Sequence, residues 1–153
     1  MYTSNVNFQN RNYEIDVINT EPQLVFIRGT AFRLQGSYRL EMKTNALQYG
    51  GQQSTSNAIN LETKYNVLQN SSLGGRFTFN AIDYKDVATK DIANTTIGYI
   101  MLDGLLPGNN LLWALDFTKR LLNNVELNFQ YEGRKPGTTR SIHTGRASLR
   151  ALF

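Results

Sequence analysis

Phe32-Arg33-Leu34-Gln35-Gly36-Ser37-Tyr38-Arg39-Leu40-Glu41-Met42-Lys43 alternates without a break. Phe32, Leu34, Gly36, Tyr38, Leu40 and Met42 fall on one side of an extended chain; Arg33, Gln35, Ser37, Arg39, Glu41 and Lys43 fall on the other. A soluble strand runs to about five or six residues. This one keeps its two sides separate over twelve residues, enough to cross a bilayer when tilted.

The same pattern recurs outward from it. Ile59–Leu68 sets Ile59, Leu61, Thr63, Tyr65 and Val67 against Asn60, Glu62, Lys64 and Asn66. Leu73–Ala81 sets Leu73, Gly75, Phe77 and Phe79 against Gly74, Arg76, Thr78 and Asn80. Leu111–Arg120 carries Trp113, Leu115 and Phe117 opposite Ala114, Asp116 and Thr118. Val125–Gly133 carries Phe129 and Tyr131 opposite Glu126, Gln130 and Glu132. Thr144–Phe153 sets Ala147, Leu149 and Phe153 against Arg146, Ser148 and Arg150. Thr95–Leu102 reads as a further strand with weaker alternation, and no amphipathic helix is expected. Residues 1–22 are expected to be largely irregular, with strand segments at Tyr13–Ile18 and Leu24–Ile27 parted by Asn19–Pro22. Thr44–Asn57 and Asp83–Asn94 read as long polar loops, the first Gly/Gln/Ser-rich and mobile.

These periodicities predict a single all-β domain over residues 1–153, an antiparallel meander of about eight strands. The charges Arg33, Arg39, Glu41, Glu62, Lys64, Arg76, Asp116, Glu126, Glu132, Arg146 and Arg150 share the polar side of their strands. Unpaired, they are too costly to bury, so they meet water or form a paired network in a lumen. The apolar side must then meet a ligand cavity, another sheet or lipid. Its candidates are Phe32, Leu34, Tyr38, Leu40, Phe77, Phe79, Trp113, Leu115, Phe129, Tyr131, Leu149 and Phe153. Long, clean alternation and small residues on the apolar side (Gly36, Gly75, Gly133, Gly145, Ala147, Ala151) favour lipid. The expectation is an outer-membrane-type barrel or part of one, non-enzymatic, with a structural or transport-related role. The alternative is a soluble β-barrel or sandwich that binds an apolar ligand or a protein, with an interior lined by Leu34, Tyr65, Phe77, Phe79, Leu115 and Phe129.

Charge is uneven. Residues 1–118 carry 9 basic and 10 acidic side chains, whereas residues 119–153 carry 7 basic and 2 acidic ones, a net +5 within a total of +4. Phe129 and Tyr131 lie on the strand side away from those charges, so no stacking platform for nucleic acid is expected. With no Cys and one His, a disulfide scaffold and a Cys-based metal site are excluded. No P-loop, G-x-S-x-G elbow or H-E-x-x-H motif occurs. Glu126 and Glu132 are six residues apart, about 20 Å along a strand, too far for a paired-carboxylate site. No catalytic residue, cofactor or metal is expected. His143 reads as a surface histidine, and Trp113 as an interfacial anchor or a core residue.

Gly98-Tyr99-Ile100-Met101-Leu102-Asp103-Gly104-Leu105-Leu106-Pro107-Gly108-Asn109-Asn110 with Trp113 is distinctive. So are Leu127–Lys135, His143–Ala147 and the terminal Arg150-Ala151-Leu152-Phe153. Over roughly residues 58–153 the chain resembles the C-terminal, β-rich end of large exported proteins of Bacteroidetes-type bacteria. A last strand ending in Phe also resembles the signal by which outer-membrane barrels are recognised for insertion. The resemblance implies export to the outer membrane or cell surface, and contact with lipid, with barrel-assembly machinery and with envelope proteins. It also implies that these residues are the tail of a longer protein. It carries no catalytic residues. One expectation conflicts with it: counting Thr95–Leu102 as a strand puts the longest loops on the side where an outer-membrane barrel has its short turns.

Overall fold

The computed structural model describes residues 2–3, 12–67, 70–86, 95–122 and 124–151. Nine strand segments form one antiparallel sheet: β1 Tyr2–Thr3, β2 Tyr13–Thr20, β3 Gln23–Arg28, β4 Phe32–Asn45, β5 Gln53–Asn66, β6 Ser71–Lys85, β7 Gly108–Leu122, β8 Val125–Lys135 and β9 Ile142–Ala151. From β4 to β9 each strand pairs with the next, which is the expected meander. Among the described residues the sheet is not closed into a barrel, and β9 forms one edge. Phe153 lies outside the described residues.

β2 and β3 pair with the same side of β4 and form one line. Partner numbers sum to 60 in both, as in Thr20↔Leu40 and Gln23↔Ser37. The register therefore runs straight through Glu21-Pro22, and Tyr38 N donates to Pro22 O at 3.1 Å. Pro22 has no N–H to return, so the ladder lacks one bond there rather than breaking. The expected strand segments Tyr13–Ile18 and Leu24–Ile27 lie within β2 and β3, and Asn19–Pro22, expected to part them, continues the same line.

Strands extend beyond the alternating runs. β5 starts at Gln53 inside the expected loop Thr44–Asn57, and β6 continues to Lys85. Thr95–Leu102 is not a strand: Thr96–Met101 is a helix, α1. Thr95 caps it, its Oγ1 accepting from Gly98 N at 2.9 Å. Asp103 and Gly104, with φ of 52° and 72°, end it in the left-handed region. Its β-branched and aromatic residues favour strands, and six residues are too few to display a helical period.

With that correction the connections sort by length. The links from β3 to β4, β5 to β6 and β7 to β8 are short and lie at one end; those from β4 to β5, β6 to β7 and β8 to β9 are longer and lie at the other. β9 runs toward the short-turn end. The conflict over loop sides came from one miscounted strand.

Direct cross-strand partners share a face. One row reads Phe26, Leu34, Thr63, Gly75, Leu115, Tyr131, Gly145 from β3 to β9. A neighbouring row on the opposite face reads Gln35, Glu62, Arg76, Ala114, Glu132, Thr144. The small core lies on the polar face at the long-connection end. There Met101 meets Tyr13 and Ile15, with Tyr84, Ile97 and Ile100 packed against them.

Candidate functional site

Two surfaces carry the chemistry. The apolar face gathers the candidates Phe32, Leu34, Tyr38, Leu40, Phe77, Phe79, Trp113, Leu115, Phe129, Tyr131 and Leu149 onto one side of the sheet. Most stay open: Leu34 is 39% exposed, Phe77 41%, Phe129 46% and Leu115 52%. Such values for large side chains on central strands mean that no second layer among the described residues covers them. The six side chains expected to line an enclosed interior (Leu34, Tyr65, Phe77, Phe79, Leu115, Phe129) stand on this open face.

Aromatic side chains hold parts of this face together. Phe26, Phe32 and Tyr65 meet edge to face at centroid distances of 6.4 Å. Trp113, opposite Gly133, lies over that glycine, where a Cβ would overlap the indole. His143, at the start of β9, stacks on Tyr131 at 6.0 Å, and its Nδ1 is 2.8 Å from the Tyr131 hydroxyl. Trp113 is 5.6 Å from the same imidazole. His143 is exposed, as expected, and belongs to an aromatic cluster. Gly133→Ala should expel the indole from its place, at a cost of about 1–3 kcal/mol. The single Trp reports it directly. Its emission maximum should shift in Gly133→Ala, and Trp113→Leu in the same chain should restore the melting temperature. An unchanged spectrum and melting temperature would show that the ring does not depend on the glycine.

The polar face brings all the charged candidates to one side. Glu62 stands opposite Arg76, and Glu126 lies between Arg120 and Arg150. Arg33, Lys64, Asp116 and Arg146 share one row, and Glu132 lies between Ala114 and Thr144. Among the described residues, the ion pairs gather at Lys43. Its Nζ is 3.1 Å from Glu41 and 2.6 Å from Asp103, and it also donates to Ile100 O at 3.3 Å. A second network crosses the sheet: Thr78 donates to Asn60, Asn60 to Ser37 and Glu21, and Ser37 to Glu21.

At the long-connection end the polar face is buried and almost wholly hydrogen-bonded. Ser54 Oγ donates to Met101 O, and Ser56 Oγ donates to Asn80 Oδ1. Asn45 Nδ2 donates to Tyr49 O and Gln52 Oε1. Asn110, fully buried, donates to the carbonyls of Asn80, Leu106 and Gly108 and accepts from Leu106 N and Gly137 N. Arg39 Nε is buried without a hydrogen-bond partner. Sequence reasoning singled out Glu41 and Arg39 but not Lys43, Asp103, Asn45, Asn80 or Asn110. The available signal was the row of Asn, Ser and Lys at the strand ends that face the long connections. Among the described residues, no three His, Cys, Asp or Glu side chains converge as metal ligands would. No family model, curated protein or solved structure matches the chain.

Proposed function

We propose that this chain is a segment of an outer-membrane-type β-barrel, with a non-enzymatic, structural or transport-related role in a bacterial envelope. Its apolar face meets lipid, and its polar face, covered at one end by α1, turns toward a lumen. The uncovered apolar face carries this reading. Along β4 it runs from Phe32 to Met42, ten residue steps or about 33 Å. Tilted by roughly 40°, that is about 25 Å, the height of the apolar band of such barrels. Aromatic side chains at its margin near the short turns, such as Phe32 and Tyr65, suit an interfacial girdle.

Two further features agree. Short turns at one end and long connections at the other, with β9 running toward the short turns, match the periplasmic and outer ends of such proteins. A helix lying over the polar face suits a lumen narrowed from within. A soluble module would need the apolar face enclosed or covered, and nothing described encloses it. Lipid and the barrel-assembly machinery are the partners this reading requires, and the resemblance to exported C-terminal ends points the same way.

Trp113 provides the test. After reconstitution into vesicles, lipids brominated on their acyl chains should quench its fluorescence strongly, and aqueous acrylamide only weakly. The reverse order, or a folded monomer stable in water without detergent, would overturn the reading.

A further inference from the structure

We propose that the edge formed by β2 and β3 is the docking site of a β-strand of a separate polypeptide, antiparallel to it, apolar along most of its length and basic toward its C-terminal end. The first ground is composition. Leu24, Val25, Phe26 and Ile27 form an unbroken apolar run, exposed by 83%, 44%, 58% and 63%. Leu24 and Phe26 belong to the apolar face; Val25 and Ile27 belong to the other. Strands apolar on both faces are normally interior strands. Edge strands are normally protected by charged side chains, bulges or prolines. Gln23–Ile27 carries no charge, no bulge and no proline.

The second ground is hydrogen bonding. Tyr38 N donates to Pro22 O, and Ala46 N to Glu14 O. Even-numbered residues of this line therefore turn their backbone groups toward β4. Odd-numbered ones, including Asn19, Gln23, Val25 and Ile27, turn theirs to the open side.

The third ground is β1, which already occupies the start of this edge. Thr3 pairs with Tyr13 and Tyr2 with Glu14, antiparallel. A strand laid end to end with β1 continues that direction along Asp16–Arg28. A second copy does not fit it. β9, the opposite edge, runs in the same direction as β3, so copies side by side would meet in parallel. Copies meeting β3 to β3 would have to stand end over end. Charge narrows the occupant further: the edge carries Glu14, Asp16 and Glu21 against Arg28, a net −2. The incoming strand is apolar opposite Leu24–Ile27 and basic toward its C-terminal end, which lies between Glu21 and Asp16.

The test uses the whole chain in detergent micelles, so it reads strand pairing and not bilayer insertion. The probe is a synthetic peptide of about ten residues alternating threonine and valine, with a C-terminal lysine. The chain has no cysteine of its own. With a cysteine at its N-terminus, the peptide should form a disulfide with Arg28→Cys and not with Thr20→Cys; with one at its C-terminus, the preference should invert. Val25→Pro, which removes an outward N–H, and Ile27→Lys, which charges the edge, should each weaken peptide binding about tenfold or more. The same peptide N-methylated at alternate residues should not bind. Absence of binding, the opposite polarity, equal reaction at both cysteines, unchanged binding in both edge variants, or chains linking to one another in place of the peptide would each overturn the proposal.

Discussion

Lys43→Met is expected to destabilise the protein by about 3–5 kcal/mol, the cost of leaving a buried charge without its partner. Lys43 is only 7% exposed and Glu41 8%. The ammonium joins Glu41 on its own strand to Asp103 and the Ile100 carbonyl beyond it. Asp103 is half exposed and can turn to water once the lysine is gone. Glu41 cannot, so its desolvation carries most of the cost. The double variant Glu41→Gln, Lys43→Met should recover much of the loss, because it removes both charges and keeps the volume. Urea unfolding of the wild type, the two single variants and the double variant closes the cycle. A double variant as unstable as the sum of the singles would show that the pair is not coupled. Hydrogen exchange adds a local readout, since the amides of α1 should lose protection in Lys43→Met while those at the short-turn end keep theirs.

Asn110→Ala is expected to cost about 3 kcal/mol through backbone groups that lose their partners in a buried setting. One carboxamide serves five of them: the carbonyls of Asn80, Leu106 and Gly108, and the amides of Leu106 and Gly137. It therefore ties β6, the β6–β7 connection and the β8–β9 turn to one point. Water can replace the bonds near the turn more readily than the one to Asn80, which is itself buried. For a chain of this size the melting temperature should fall by about 6–12 °C. Exchange should accelerate at both Leu106 and Gly137. A fall of less than about 2 °C would mean that the connections hold without this residue.

Strand positions and side-chain faces were legible because period two is a property of the extended backbone itself. Phe32–Lys43 lies wholly within β4, and Leu73–Ala81 within β6. The strand ends were not legible. Gln53–Asn57 and Asp83–Lys85 are largely polar and look like loop, yet Gln53–Thr55 pair with Asp83–Lys85 across β5 and β6. Their order comes from neighbouring strands and from α1, neither of which is local. α1 was missed because its residues favour strands and its one clear marker, the Thr95 cap, is a single side chain. That error alone reversed the apparent sides of the loops. Of the charged set, the sequence identified the face but not the partners. Glu62 and Arg76 are fourteen positions apart and stand opposite only because the β5–β6 turn sets the register.

The sequence by itself determined that the chain has two chemically distinct faces, since alternation sorts side chains wherever a strand forms. Only the tertiary structure decided which face is covered. α1 must bury Ile97, Ile100, Met101 and the adjoining Leu102, and it must find donors for the Ile100 and Met101 carbonyls. The polar face meets both needs with Lys43 and Ser54 beside Tyr13 and Ile15. The open part of the apolar face, around Leu34, Leu61, Phe77 and Leu115, lies toward the middle of the strands, away from the long connections that carry α1, so no described element reaches across it.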